Sequence, residues 1–330
     1  MNSKHLPGRR CLAALLAGLA FGLQAPAQAE SESYPNRPIT LVVGYPPGGS
    51  TDLIARTLGQ ELSRRLSTPV VIDNVGGAGG AIGAQRVANA SPDGYTLLVG
   101  ANNELAIKRL VAPATVKYET RDFSPIGLIA SQPMVLVTAP RSGVKTMADF
   151  MKQVKANPGK FTYGSSGVGT ALHLSGEMIK DQGGLFMVHI PYKGVAPLTT
   201  DLLGGNVDYG IFVLSSGLPL IRSGRVVALG TTERKRSGAT PDIPALAETP
   251  ALKNLDMASW FALMGPAHLP EAVSARLKKA LAESLQSPEL RRKLEETGSA
   301  VPAAPVDLPR FLADETAKYK KIVDFAKIEE

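Results

Sequence analysis

Two glycine-rich turns, one in each half of the chain, constrain the fold more than any other feature. The first follows an apolar run, Ile39-Thr40-Leu41-Val42-Val43-Gly44, and reads Tyr45-Pro46-Pro47-Gly48-Gly49-Ser50-Thr51-Asp52 before a helical pattern begins. The second follows Phe161-Thr162-Tyr163-Gly164 and reads Ser165-Ser166-Gly167-Val168-Gly169-Thr170 before another helical pattern. Each is a strand, a flexible loop and a helix start. Such a turn leaves backbone N–H groups unpaired beside the positive end of the helix dipole. It is a ready seat for an anion. Two such seats suggest a clamp for a small carboxylate.

The rest of the chain repeats this grammar. Apolar strands are expected at 39–45, 69–74, 95–101, 161–164, 185–190, 207–213 and 226–231, with helices between them over 52–66, 81–89, 147–156, 171–180 and 196–203, and a short one near 218–221. Strands alternating with helices predict parallel α/β layers. A long apolar run at 128–139 reads as a strand leaving a first domain, and 259–266 as a return crossing. Helical patterns over 270–297 and 316–326 close the chain, the last with Tyr319, Ile322, Val323 and Phe325 on one apolar face.

Residues 1–29 read as a cleaved secretory signal. Lys4, Arg9 and Arg10 form a basic start, an apolar stretch follows, and Ala27-Gln28-Ala29 is a small-residue cleavage site. Arg9-Arg10 leaves Sec and twin-arginine export both open. Removing the signal removes Cys11, the only cysteine, so the mature chain has neither disulfide nor thiolate site. It also loses three basic and no acidic residues, and the net charge falls from +7 to +4. That scattered, mild charge argues against nucleic acid.

Several side chains near the turns bear on function. Ser50 or Thr51 can cap a helix, and Asp52 falls in its first turn, either beside a ligand or serving only the dipole. His173 stands one helical turn beyond Thr170, either touching a ligand or held behind the loop. Asp208 opens a strand and either accepts from a ligand or shapes a turn. Asn102 and Asn103 follow the third strand, the right end for a parallel-sheet site. Neither loop carries the Gly-x-x-x-x-Gly-Lys nucleotide pattern, nor a third glycine at the dinucleotide position. A triad of Ser165, His173 and Asp208 can be drawn, but no Gly-x-Ser-x-Gly elbow supports it. No metal-ligand spacing is present. The chain is therefore expected to be no enzyme and to need no cofactor.

Together these motifs are specific. Tyr34-Pro35-x-Arg37-Pro38-Ile39, the Pro-Gly-Gly-x-x-Asp loop ending at Asp52, Gly76-Gly77-Ala78-Gly79-Gly80 and Pro92-Asp93-Gly94-Tyr95-Thr96 occupy the first half. Gly164-Ser165-Ser166-Gly167-x-Gly169-Thr170-x-x-His173-Leu174, Pro191-Tyr192-Lys193-Gly194, Asp201-Leu202-Leu203-Gly204-Gly205-x-x-Asp208 and Ser259-Trp260-Phe261 follow. In these the chain resembles the tripartite tricarboxylate transporter receptors, the Bug family, over essentially all of its mature length.

The resemblance implies a two-domain periplasmic-binding-protein fold of type II. Each domain would be a Rossmann-like, mostly parallel sheet flanked by helices, with a two-segment hinge. The expected limits are 30–132 with 261–330 for domain 1 and 133–260 for domain 2. It also implies a monomeric periplasmic receptor that takes a small organic acid and hands it to a membrane permease. A sensory receptor, or a secreted hydrolase using Ser165, are the alternatives. The ligand positions expected are Tyr45, Gly48, Gly49, Asp52, Asn102, Ser165, Ser166, Gly167, Gly169, Thr170, His173 and Asp208. Asn102-Asn103-Glu104-Leu105 departs from the family's Asn-Thr-His-like run, and Gly265-Pro266-Ala267-His268-Leu269-Pro270 from its Ala-Pro-Ala-Gly-Thr-Pro.

Overall fold

Strand β1 (Ile39–Val43) buries Leu41, Val42 and Val43 completely, as its continuous apolar run demands. It lies in a computed structural model that describes Met1 and residues 34–329. The signal segment read over 1–29 falls, Met1 apart, outside the described residues. Helix α1 (Ser50–Leu66) covers β1 with Ile54, Leu58, Leu62 and Leu66 buried, while Leu53 of the same run is exposed. Burying each such side chain stabilises by roughly 1.5–3 kcal/mol. Then follow β2 (Val70–Asn74), α2 (Ala81–Ala88) and β3 (Thr96–Ala101). A single π-helical turn, Asn103–Ile107, leads into the short α3 (Lys108–Val111).

Strand β4 (Phe123–Thr138) is 16 residues long and begins earlier than its apolar core foretold. After it come α4 (Met147–Ala156), β5 (Thr162–Ser165), α5 (Ala171–Gly183), β6 (Val188–Pro191), α6 (Val195–Gly204), β7 (Tyr209–Val213), α7 (Leu214–Arg222) and β8 (Val227–Thr231). Strand β9 (Ala258–Pro266) returns, and α8 (Glu271–Leu285), α9 (Pro288–Glu295) and α10 (Leu308–Ala326) end the fold. Helix α10 starts eight residues before the expected stretch, capped by Asp307, which accepts from the Arg310 amide at 3.2 Å. Tyr319, Ile322 and Val323 are buried as expected, but Phe325 is exposed.

The strands form one sheet in the order β2-β1-β3-β9-β4-β7-β5-β6, with β8 also on β4. Within one lobe β1 runs parallel to β2 and β3; within the other β5 runs parallel to β6 and β7. The crossing strands are antiparallel: β9 to β3, and β4 to β9, β7 and β8. The sheet is thus mixed, with a parallel set on each side of a central antiparallel pair. Phe123 to Pro133 of β4 pair with β9, and Met134 to Thr138 pair with β7, so one strand serves both lobes. Trp260 of β9 is buried at this crossing. Its indole N–H lies 2.9 Å from Glu315 Oε2 and 3.1 Å from the Tyr319 hydroxyl, with Phe311 edge-on to the ring.

Candidate functional site

The parallel strands of each lobe end toward the crossing, and the glycine loops stand at those ends. Gly48 adopts φ +87°, a backbone open to glycine at no steric cost. Gly49 then caps α1 with no side-chain acceptor. Among the described residues the amides of Gly49, Ser50 and Thr51 have no internal acceptor. They are the free donors foreseen for an anion. Asp52 is buried instead. Its carboxylate accepts from the Gly48 amide at 2.9 Å, Arg56 Nε at 2.9 Å and Asn74 Nδ2 at 3.0 Å. Burial alone would raise its carboxyl, but the bonds from Arg56, Gly48 and Asn74 hold it below the usual value. Asp52 therefore fixes the loop.

Behind this loop, the Tyr45 hydroxyl lies 2.5 Å from Glu104 Oε2 and 3.0 Å from the Gly79 carbonyl, and it accepts from Asn103 Nδ2 at 3.1 Å. Glu104 Oε1 takes the Ala101 amide at 2.6 Å. Burial pushes the Glu104 carboxyl up to about 7, against the opposing bonds from Tyr45 and Ala101. Asn102 is turned away from the loops. It is buried and donates to the Ala258 carbonyl at 3.2 Å and the Tyr319 hydroxyl at 3.1 Å. Its neighbour Asn103 reaches across instead, and its Oδ1 accepts the Ala171 amide, the first of α5, at 2.8 Å.

The second loop is tied down by its own side chains. Ser165 is buried, with Oγ 2.7 Å from His189 Nε2, and it accepts the Gly167 amide at 3.2 Å. Thr170 caps α5 by accepting the His173 amide at 3.3 Å, and it donates to the Gly167 carbonyl at 2.9 Å. The Gly169 amide donates to His173 Nδ1 at 3.1 Å, which leaves the His173 proton on Nε2, facing Glu177 at 3.7 Å. The His173 and His189 rings stack 3.8 Å apart, and Tyr163 stacks on His189 at 4.9 Å. Burial lowers His173 to about 4 and His189 to about 3; for His189 the neighbouring His173 adds to this. Both rings are neutral near pH 7. Among the described residues the amides of Ser166, Val168 and Leu172 have no internal acceptor.

Gly169 has φ +63°, and a Cβ there would stand 2.5 Å from Val111 Cγ2 of the opposite lobe. The two lobes are therefore in contact at this point. Tyr45, Gly48, Gly49 and Asp52 belong to the first loop and Ser165, Ser166, Gly167, Gly169, Thr170 and His173 to the second, and Asn103 links the two through Tyr45 and Ala171. The structure does not bring Asp208 to them. Asp208 precedes β7, and its Oδ2 accepts from the Thr162 amide and hydroxyl, both at 2.8 Å, at the far end of β5 from Ser165.

Ser165 and His189 stand at a nucleophile–base distance. Yet Ser165 is fully buried, and among the described residues no carboxylate orients the other His189 nitrogen. No group of metal-binding side chains occurs among the described residues. A crevice of about 530 Å³ lies elsewhere, bordered by Ser131, Glu233, Asp256, Trp260 and Lys318 and by no residue of either loop.

Sequence reasoning passed over two residues that shape the cleft, Val111 and His189, and of the pair Asn102-Asn103 it took Asn102 rather than Asn103 as the ligand position. Asn103 stood in the same dipeptide as Asn102, and only the π-helical turn decides which of the two faces α5. His189 lay inside a strand and two residues ahead of Pro191-Tyr192-Lys193-Gly194, which was its one signal. Val111 carried none.

The sequence matches the family described as Tripartite tricarboxylate transporter family receptor over residues 54–328. The protein BugT of Bordetella pertussis is 34% identical over 304 residues, covering 92% of each chain. The R. palustris protein Rpa4515, solved with adipate, is 33% identical and superposes with a TM-score of 0.85 over 90% of this chain and 99% of its own. The periplasmic binding protein BugD is 32% identical, with a TM-score of 0.81 and the same coverage.

Proposed function

We propose that this chain, which belongs to the tripartite tricarboxylate transporter receptors of the Bug family, is a periplasmic receptor for a small organic acid and delivers it to a membrane permease. The observation that carries this reading is the pair of helix-start loops that Asn103 links through Tyr45 and Ala171. One offers the free amides of Gly49, Ser50 and Thr51 at the start of α1; the other offers those of Ser166, Val168 and Leu172 around the start of α5. An anion bridging them would bind each helix at its positive end. The adipate held by Rpa4515 supports a carboxylate, and the family supports transport.

A micromolar affinity requires about −8.2 kcal/mol. Hydrogen bonds to a charged group contribute roughly 1.5–3 kcal/mol each, so four or five suffice after ordering costs. No arginine clamp is needed. In this reading residues 30–132 with 261–330 and residues 133–260 are the two moving domains, and the crossings of β4 and β9 are the hinge. The protein acts as a monomer, and its work is binding rather than turnover.

Calorimetry on the mature protein against a panel of organic acids tests the proposal. Binding of carboxylates at micromolar concentration, with the matching amides silent, is the expected result. A panel in which only uncharged or cationic solutes bind would refute it.

A further inference from the structure

Gln132 lies on β4 one residue before Pro133, where that strand's pairing with β9 gives way to its pairing with β7. It is fully buried. Its Oε1 accepts the Ser215 amide, near the first turn of α7, at 3.0 Å. That bond fixes the amide's orientation, because the flipped form would set two donors against each other. Among the described residues the Gln132 Nε2 then has no acceptor, and the buried Ser215 Oγ has no partner either. Helix α7 has nine residues and is preceded by Val213, which supplies no capping side chain. Two orphan polar groups, one on Ser215 and one on the side chain that holds its amide, thus belong to the start of one helix.

The register places that helix start at the cleft. Tyr163 pairs with Tyr209 and Gly164 with Gly210, so β5 and β7 end at the same edge of the sheet, and α7 starts where the Ser165 loop starts. Val213 pairs with Met134, which sets the α7 start over the crossing. Gln132 itself pairs with Ser259, one residue from Ala258, whose carbonyl the buried Asn102 side chain reaches from the end of β3.

We propose that Gln132 and Ser215, with the first turn of α7, form a third polar seat of the cleft, and that it takes the distal carboxylate of a dicarboxylate. A buried donor without an acceptor is unfavourable in the folded protein. A guest that brings an acceptor relieves this. Two neutral donors and a helix terminus favour an anionic oxygen and reject an alkyl end, which would leave both donors unpaired. The inference rests on the cleft being the solute site and adds to it a choice between dicarboxylates and monocarboxylates.

The test is calorimetry on the mature protein with straight-chain dicarboxylates of four to six carbons and monocarboxylates of the same lengths. The wild type is expected to favour the best dicarboxylate by about 10-fold or more. Gln132→Leu and Ser215→Ala should each weaken that dicarboxylate by about 10- to 100-fold and leave the monocarboxylate within about twofold. Ser215→Ala is the milder change and keeps the test valid if Gln132→Leu does not fold. An equal loss for both ligand classes means that an internal water or packing alone uses these groups, and it overturns the proposal. So does the absence of any effect. A wild type that binds no organic acid overturns the cleft reading as well, so the two failures are distinguishable.

Discussion

Asn103 caps Ala171 across the cleft: its Oδ1 accepts the first amide of α5 at 2.8 Å, while its Nδ2 holds the Tyr45 hydroxyl at 3.1 Å. One side chain thereby joins the first glycine loop to the helix of the second. Asn103→Ala should loosen the closed arrangement and weaken ligand binding by about 3- to 10-fold, the scale of one hydrogen bond. Calorimetry measures the affinity, and small-angle scattering without ligand should show a larger radius of gyration. An affinity equal to the wild type's would mean that this bond does not contribute to closure.

Gly169 sits under Val111 with no room for a methyl group. Gly169→Ala should hold the lobes apart and reduce affinity by about 30-fold or more. Adding Val111→Ala removes the opposing methyls and should restore part of the loss. The remainder reflects the left-handed backbone at φ +63°, which disfavours alanine. If the double variant binds no better than the single one, the steric account is wrong.

The pH dependence of stability has two opposing arms. The Glu104 carboxyl is raised to about 7 from 4.5, so its contribution is complete below pH 4.5 and is lost as pH rises through 7. His173 and His189 are lowered to about 4 and 3 from 6.5, so theirs is complete above pH 6.5 and is lost as pH falls through 4 to 3. Glu104→Gln can still serve the Ala101 amide and the Tyr45 hydroxyl while removing the first arm. Relative to wild type, it should gain up to about 3 kcal/mol between pH 4.5 and 7.5 in urea melts. Parallel curves for the two proteins would contradict this.

Asp208 serves as a control. Asp208→Ala removes the acceptor for the Thr162 amide and hydroxyl and should lower stability by about 1–2 kcal/mol. Ligand affinity should stay within about twofold, because the carboxylate is at the far end of β5 from the loop. A large loss of affinity at unchanged stability would return Asp208 to the site.

Much of this was legible in the sequence because backbone chemistry dictates it. Pro46-Pro47-Gly48-Gly49 and Gly167-x-Gly169-Thr170 announce loops ending at helix starts wherever the chain goes next. The alternation of apolar strands and helices likewise fixed the element order. Tertiary contacts were not legible. Asp52 and Ser165 were named as ligand positions, yet their oxygens are taken by Arg56, Asn74 and His189, residues that periodicity could not bring together. The choice between Asn102 and Asn103 turned on one π-helical turn. The antiparallel sense of β4 and β9 depends on how each lobe is entered, which no local propensity records.

Trp260 is the only tryptophan of the chain and stands on β9 at the crossing, its indole gripped by Glu315, Tyr319 and Phe311 of a single helix. Any shift of α10 against that strand changes the polarity around one fluorophore. The molecule therefore carries its own optical gauge, and emission from the unlabelled wild-type protein can be followed in real time as solute is mixed in.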